Sequence, residues 1–300
     1  KEKSEFIIKI FCINPSENLK QTLNGAYSSI IFSATLSPIK YYMDLIGGDE
    51  KSFRVRFDSP FNKKNLSTYL YNLDMRYFNR EKNIDMLCKL INQFITEVKG
   101  NYMVFFPSYG YMENVKNMFM KNYSCRPAET AFTAGEDICG NKDYINIYIA
   151  TQRNGMNEED REQFLKLFEE EKFDGSLIGM CVTGGIFSEG IDLKNDSLIG
   201  AVIVGTGLPM ICRERNILRD YFDANEKDGY SYAYVYPGMN KVLQAAGRVI
   251  RTDEDRGVIE LLDDRFLRPE YQKMYPREWE NVISVRRENV RKQLDIFWKN

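Results

Sequence analysis

The stretch that decides the fold is Gln244-Ala245-Ala246-Gly247-Arg248-Val249-Ile250-Arg251, which is followed by the apolar run Gly257-Val258-Ile259-Glu260-Leu261-Leu262. In the first stretch the alanines, Val249 and Ile250 recur at helical spacing and form one apolar face. Arg248 and Arg251 stand three residues apart, so a helix would project them together. We therefore predict a helix over 239–250 that leads into a buried strand over 258–262.

Two arginines held side by side are suited to bind phosphate. A guanidinium matches phosphate oxygens bidentately and stays charged at any relevant pH. Gly247 would let a ligand or another backbone come close. The simpler alternative is an ordinary amphipathic helix with two solvated arginines, and this stretch alone leaves both open.

Working outward, apolar runs alternate with amphipathic stretches along most of the chain. We predict strands at 5–13, 28–32, 102–106, 145–150, 177–182, 198–204, 230–236 and 258–262. We predict helices at 19–23, 41–46, 81–99, 111–121, 157–171, 212–222 and 239–250. Such alternation is typical of an α/β fold with a doubly wound, mostly parallel sheet covered by helices on both faces. Ligands of this fold bind at the loops that leave the strands.

Four of those exit loops carry unusual chemistry. They are Ser33-Ala34-Thr35, Phe106-Pro107-Ser108-Tyr109, the nine residues from Gly184 to Asp192 and the approach to Arg248. The third loop combines glycines, which leave N–H groups free to meet an anion, with a carboxylate at Asp192 that is placed to accept from a sugar hydroxyl. Taken singly, a capped polar loop or a tight turn explains each one equally well.

Composition limits the classes of function. The chain has 41 basic and 43 acidic residues, no histidine, and six cysteines without a C-x-x-C pair. Histidine-based catalysis and histidine metal ligation are therefore excluded, and neither a zinc site nor a disulfide framework is indicated. We expect a reducing, cytoplasmic location, no metal site and no membrane partner. A start at Lys1 without methionine suggests a fragment of a longer protein.

Aromatic and basic residues elsewhere have two interpretations. Tyr109 suits either core packing or base stacking, whereas Phe105 lies inside an apolar run and suits the core. The basic residues near the C-terminus are predicted on a terminal helix, where a solvated charged face is the more common explanation than a nucleic-acid contact. They are Arg286, Arg287, Arg291 and Lys292.

Four motifs in one order carry a family resemblance. They are Ser33-Ala34-Thr35-Leu36-Ser37-Pro38, Val104-Phe105-Phe106-Pro107-Ser108-Tyr109, Phe187-Ser188-Glu189-Gly190-Ile191-Asp192 and Gln244–Arg251. Together with Asp263-Asp264-Arg265-Phe266, they resemble the second RecA-like motor domain of XPD/DinG-type superfamily 2 DNA helicases. The resemblance implies a lead-in segment at 1–24 from the first motor lobe, the motor domain at 25–270 and a helical extension at 271–300.

The resemblance also implies roles for single residues. Arg248 and Arg251 would reach the γ-phosphate of ATP as arginine fingers, with Gln244 aligning the nucleotide or the attacking water. The cofactor-binding set would be Glu189, Gly190, Asp192 and Gly247. Single-stranded DNA would contact Ser33, Thr35, Ser108, Tyr109 and Ser188. DNA repair and 5′-to-3′ movement are the activities that the resemblance implies for the whole protein.

The departures from the complete motor are as informative. The chain has no G-x-x-x-x-G-K-[ST] motif and no Asp-Glu-x-His. The resemblance therefore places ATP with Mg²⁺ mainly on an absent N-terminal lobe of the same polypeptide, and it implies no iron–sulfur cluster within these 300 residues. The fragment is expected to be inactive alone. Two other classes stay open, namely a RecA-like module that binds nucleic acid or protein without catalysis, and another kind of nucleotide enzyme.

Overall fold

The computed structural model describes residues 8–128, 146–169, 173–188 and 197–299. These residues divide into two compact units. One unit contains the described residues up to 56 together with 209–238, and the other contains 57–208 and 239–299. The two units are described separately below. The domain boundaries predicted from the sequence stay a prediction.

The larger unit is built on one sheet of eight parallel strands. The strands are β1 (Leu66–Tyr71), β2 (Asn101–Phe106), β3 (Cys125–Pro127), β4 (Asn146–Thr151), β5 (Gly175–Val182), β6 (Gly200–Val204), β7 (Gly257–Leu262) and β8 (Val282–Val285). Their order across the sheet is β3-β4-β5-β2-β6-β7-β1-β8. The sheet is all parallel, which agrees with the α/β fold predicted from the alternation of elements.

The helices in chain order are α1 (Ser16–Asn24), α2 (Ile39–Ile46), α3 (Tyr77–Arg80), α4 (Ile84–Ile95), α5 (Tyr109–Asn122), α6 (Glu158–Glu169), α7 (Arg213–Ala224), α8 (Tyr236–Ala246), α9 (Pro269–Gln272) and α10 (Val290–Lys299). Short 3₁₀ turns occupy Lys63–Asn65 and Asp264–Leu267, and a π-helix occupies Ser231–Val235.

Helices cover both faces of the sheet. On one face, buried side chains of α4, α5 and α10 join those of the strands in one core; Phe94, Phe119 and Leu294 are examples. On the other face α6 lies against β5, where a Cβ added at Gly179 would approach the Phe168 ring to 2.7 Å. Full burial on both faces explains why the strands read as continuous apolar runs rather than as alternating patterns.

Three strands were missed because their sequences carry weak signals. β1 includes hydroxyl residues, β3 is three residues long and ends in proline, and β8 has four residues. β3 and β8 lie at the two edges of the sheet, where short strands and proline are tolerated. The predicted terminal helix was too long at its start, because Arg286 and Arg287 follow β8 in the turn before α10.

The predicted strand over 230–236 is wrong, because these residues are helical. Tyrosines stand at every second position from 230 to 236, and such a period of two is typical of a strand. In the helix, residues four apart meet instead: the Tyr230 and Tyr234 rings lie 5.3 Å apart, and those of Tyr232 and Tyr236 lie 5.5 Å apart.

The smaller unit contains α1, α2, α7 and the π-helix. Its aromatic centre includes Tyr41 and Phe222, whose rings lie 5.2 Å and 4.5 Å from that of Tyr232. The Tyr232 hydroxyl donates to Asp44, whose carboxylate also pairs with Lys227 at 2.7 Å.

The strands predicted over 5–13 and 28–32 are not strands where the structure describes them. Their apolar side chains are exposed, with Ile10 at 99%, Ile30 at 86% and Phe32 at 88% of full accessibility. A strand needs a neighbouring strand to satisfy its backbone groups, and residues 8–13 and 28–32 have none within the described chain.

Candidate functional site

The exit loops of five strands lie along one edge of the sheet, because the carboxyl ends of parallel strands meet there. In the order β4, β5, β2, β6 and β7, the first residues beyond the strands are Gln152, Thr183, Pro107, Gly205 and Asp263. Several of these residues carry buried polar side chains. Open α/β sheets bind their ligands at this edge.

Ser108 and Tyr109 begin α5 at the exit of β2. The Ser108 hydroxyl caps the helix by accepting from the Tyr111 N–H at 3.3 Å. The Tyr109 hydroxyl accepts from Gln152 Nε2 at 2.8 Å. Burial raises the pKa of Tyr109, and the hydrogen bond from Gln152 lowers it by less. Both side chains are half-buried, so the helix cap and the phenol are fixed while part of each stays accessible.

Gln152 is a site residue that sequence reasoning missed. It is fully buried, its Oε1 accepts from the Val182 N–H at 2.9 Å, and its Nε2 donates to Tyr109. One amide therefore joins the ends of β4 and β5 to the start of α5. The available signal was a polar residue placed directly after a buried strand, at the edge where the other exit loops lie.

The loop after β5 turns tightly. Gly184 has a φ of +73°, and an added Cβ would lie 2.9 Å from the side chain of Lys241 in α8, so glycine is required there. Ser188 is fully buried, and its hydroxyl donates to the Gly185 carbonyl at 2.8 Å. The predicted site residues Glu189, Gly190 and Asp192 lie outside the described residues.

Arg248 contacts this same loop. Its Nη2 donates to the Ser188 carbonyl at 2.9 Å, across 60 residues of sequence. This hydrogen bond joins the fourth motif directly to the third. The part of Ser188 that meets Arg248 is the backbone carbonyl, so the role predicted for its side chain toward DNA stays a prediction.

The helix that was predicted to carry both arginines is shorter than expected. It ends at Ala246, and the N–H groups of Arg248 and Val249 bond to carbonyls three residues back, at 3.3 Å each. Gly247 is exposed and favours the helix end, because glycine is a poor helix residue. Arg248 and Arg251 therefore do not share a helix face; they stand on a turn and on the segment after it.

Asp255 holds the segment that carries Arg251. Its buried carboxylate accepts from the Arg251 N–H at 2.6 Å, the Thr252 N–H at 2.7 Å and the Thr252 hydroxyl at 2.8 Å. Three hydrogen bonds to one carboxylate fix the backbone of this turn. The acidic turn after the arginines therefore positions the backbone of Arg251 through Asp255.

Gln244 has an unused acceptor. It lies one turn before the end of α8, and its Oε1 is buried without a hydrogen-bond partner among the described residues. A buried polar atom without a partner is uncommon in folded proteins. An amide oxygen accepts a hydrogen bond, so a hydroxyl, an N–H group or a water molecule would satisfy it.

The Asp-x-Arg-Phe motif, residues 263–266, directly follows β7. Asp263 is fully buried and pairs bidentately with Arg265, with oxygen–nitrogen distances of 2.8 and 2.7 Å. Burial raises the pKa of Asp263 by more than the Arg265 guanidinium lowers it. Phe266 beside them is also fully buried. This motif is part of the core rather than a surface group.

Ser33 and Thr35 belong to the smaller unit. Their hydroxyl oxygens lie 3.3 Å apart, and the Thr35 N–H donates to Ser33 Oγ at 3.2 Å in a local turn. Ser33 and Thr35 thus lie side by side in one turn. Their contact with DNA stays a prediction.

No group of three or more His, Cys, Asp or Glu side chains in the described ranges is arranged to hold a metal ion. Over those same ranges, no helix combines the length and the apolar character that crossing a bilayer requires.

Comparisons with known proteins identify the family. Residues 91–282, more than half of the chain, match the family model of the helicase C-terminal domain. The chain is 27% identical over 262 residues to a probable ATP-dependent helicase of Methanocaldococcus jannaschii, which covers 84% of this chain and 36% of that protein. It is 27% identical over 284 residues to the ATP-dependent DNA helicase CHL1 of Vanderwaltozyma polyspora, with coverage of 86% and 32%.

Among solved structures, an XPD helicase superposes with a TM-score of 0.63 at 20% identity, covering 91% of this chain and 45% of that one. This similarity establishes the RecA-like fold. The chain spans about a third of the length of the curated relatives it matches. The chain belongs to the helicase C-terminal domain family.

Proposed function

We propose that this chain is the second motor domain of an ATP-dependent DNA helicase, and that it supplies arginine fingers and strand contacts to a first lobe that binds the nucleotide. The observation that carries the proposal is the contact of Arg248 with the Ser188 carbonyl. It joins the arginine motif to the loop that the resemblance assigns to coupling between nucleotide and DNA.

The arginines would act through charge and position. Bound between the lobes, ATP with Mg²⁺ supplies the phosphoryl group that is transferred to water, and the first lobe holds most of it. Arg248 and Arg251 would stabilise the negative charge that develops on the γ-phosphate, a role worth roughly 10³–10⁵ in turnover. The carboxylate of Asp255 would keep Arg251 in place through its backbone N–H, and Gln244 would use its open acceptor to orient the water or the nucleotide.

The strand contacts would be made by small polar groups. Ser108 and Tyr109 lie half-buried at the start of α5, and Ser33 and Thr35 form a polar turn in the other unit. Hydroxyl and backbone N–H contacts to phosphate and sugar hold a strand without reading its sequence, which suits a motor that moves along DNA. A role in DNA repair is part of this proposal.

The N-terminal motor lobe is the second proposed partner. The smaller unit exposes apolar side chains at Ile10, Ile30 and Phe32, which is unusual for a surface that meets only water. We propose that these segments pack against the first lobe of the longer polypeptide. The described cysteines are free thiols, which fits the reducing cytoplasm as the location.

ATPase measurements on the longer protein and on this chain alone test the proposal. Both are assayed with and without single-stranded DNA, from preparations free of other helicases. The longer protein is expected to hydrolyse ATP faster when DNA is present, and this chain alone is expected to show no hydrolysis above background. DNA-stimulated hydrolysis by this chain alone would overturn the proposal, because its nucleotide site would then be complete without a P-loop. A longer protein that binds DNA and hydrolyses nothing would instead support a binding module.

A further inference from the structure

A cluster of aromatic rings around one arginine lies beside the proposed strand contacts. It consists of Tyr77, Phe78, Arg80 and Tyr111, and we call it the Arg80 cluster. The first three belong to α3, in the segment that follows β1, and Tyr111 lies in the first turn of α5, three residues after Ser108. β1 and β2 are parallel strands of one sheet, so both segments begin at the same edge.

Two of the rings are presented to solvent. Tyr77 is 71% and Phe78 is 86% accessible, and the two rings meet edge to face with centroids 5.6 Å apart. Neighbouring large aromatic side chains are rarely left in water by chance, because burying each one removes a large apolar area from solvent. The Tyr77 ring stands perpendicular to that of Phe78, and the 86% accessibility of Phe78 leaves a ring face open on which another aromatic plane can stack.

Arg80 places a positive charge against these rings. Its guanidinium carbon lies 4.7 Å from the centroid of Tyr77 and 4.9 Å from that of Tyr111. Among the described residues it makes no ion pair, and its Nε is buried without a hydrogen-bond partner. The neighbouring Arg76, by contrast, pairs with both Asp74 and Asp264 at 2.8 Å. Arg80 is thus the arginine of this segment that retains donors for an outside anion.

The cluster is held in place by its own hydrogen bonds. Asp74 accepts from the Arg76 N–H at 3.0 Å and from Asn79 Nδ2 at 2.7 Å, which closes the turn before α3. The Tyr111 hydroxyl donates to the Arg80 carbonyl at 3.0 Å and ties α3 to α5. A surface that is fixed in advance loses little entropy when a ligand binds.

We propose that the Arg80 cluster is a second contact for single-stranded nucleic acid, with a base stacked on Phe78 and a phosphate bound by Arg80. An aromatic plane beside an unpaired guanidinium matches the two repeating parts of a nucleotide chain. Tyr111 connects the cluster to Ser108, so a strand on the proposed contacts would continue onto it. The inference rests on the proposed function of this edge as a strand-binding surface.

Fluorescence anisotropy with the full 300-residue chain tests the inference. The probes are a labelled oligothymidine of about 12 nucleotides, within the usual site size of such surfaces, and an abasic strand of the same length. Phe78→Ala is expected to weaken oligothymidine binding by roughly 5- to 150-fold and to leave abasic-strand binding unchanged, because only the first strand can stack. Arg80→Gln is expected to weaken both and to reduce the salt dependence by about 0.7, the slope of one phosphate contact.

Controls separate this inference from the proposed function. Phe53→Ala removes an equally exposed ring, 97% accessible, and is expected to leave binding of both strands unchanged. Ser108→Ala tests the strand contact already proposed. If Ser108→Ala weakens binding while Phe78→Ala and Arg80→Gln do not, the inference fails and the proposed function stands. If Phe78→Ala weakens both strands equally, stacking is wrong. If the unaltered chain binds neither strand, both fail.

Discussion

Glu260 offers a sharp test of how this fold is stabilised. It lies in β7, next to Val202 of β6 and Tyr69 of β1 in the register of the sheet, and it is fully buried. Neither carboxyl oxygen has a hydrogen-bond partner among the described residues. Burial raises the pKa of Glu260 well above its ordinary value, so the fold favours the protonated form of this side chain. We expect replacement by glutamine or methionine to remove a pH-dependent cost of folding.

The size of this pH dependence follows from the proton on Glu260, which the folded and unfolded states bind with different affinity. In the unfolded chain a glutamate loses its proton near pH 4.3, whereas in the fold Glu260 keeps it until the raised pKa is reached. Its contribution to stability is therefore fully present below the unfolded pKa and is lost as the pH rises toward the folded pKa. Within that window each pH unit costs about 1.4 kcal/mol of unfolding free energy.

The assay is urea unfolding at pH 5, 6 and 7, followed by circular dichroism. Glu260→Gln and Glu260→Met are expected to gain stability over the unaltered chain as the pH rises between the unfolded pKa and the raised folded pKa, by at most about 1.4 kcal/mol for each unit of pH. Methionine is expected to gain a further constant amount, because glutamine leaves a buried amide unsatisfied. Glu159→Gln on the exposed side of α6 is the matched control. If both Glu260 variants follow the pH profile of the unaltered chain, Glu260 is not a buried, protonated acid.

Three further substitutions test the packing and hydrogen bonding of the sheet by the same unfolding measurement. Gly257→Ala is expected to lower the free energy of unfolding by about 1–3 kcal/mol, since the new Cβ would lie 2.8 Å from the backbone carbonyl oxygen of Ile199. An unchanged urea midpoint would contradict this close packing. The Cβ added by Gly110→Ala would have no atom within 4 Å, and alanine is expected to stabilise α5 by about 0.5 kcal/mol. A lower free energy of unfolding would show that this position is not open. Gln152→Ala leaves the Val182 N–H without its acceptor and is expected to cost about 1–3 kcal/mol; a neutral result would show that this hydrogen bond contributes nothing.

The parallel sheet was predictable because its central strands are long and buried on both faces. β2, β5, β6 and β7 all lie within two residues of the limits predicted from their apolar runs. The register and the order of strands were not predictable, since they depend on contacts between segments far apart in sequence. The alternating tyrosines of 230–236 misled for a physical reason: aromatic residues at every second position satisfy a helix as well, through pairs four residues apart.

The site was predictable in its motifs and not in its contacts. Ser108, Tyr109 and the arginine motif were predicted because hydroxyls and arginines after strands or helices are chemically distinctive, and their roles stay predictions. Gln152 was missed because a single amide carries no pattern, and its importance comes from two hydrogen bonds across the sheet. The predicted helix with the arginines was too long. The helical spacing of apolar residues continues past Gly247, whereas the helix itself ends at Ala246.

The arginine pair is the most direct test of the central claim. In the longer protein, ATP turnover in the presence of single-stranded DNA is measured for Arg248→Ala, Arg251→Ala and the control Arg277→Ala, an exposed arginine that pairs with Asp58. Arg251→Lys shows whether charge alone is sufficient. If the two motif arginines are fingers, their alanine variants lose at least two orders of magnitude in turnover while Arg277→Ala keeps its rate. If Arg248→Ala and Arg251→Ala both keep the rate of the unaltered protein, the pair is not catalytic and the proposed role of this domain in ATP hydrolysis is wrong.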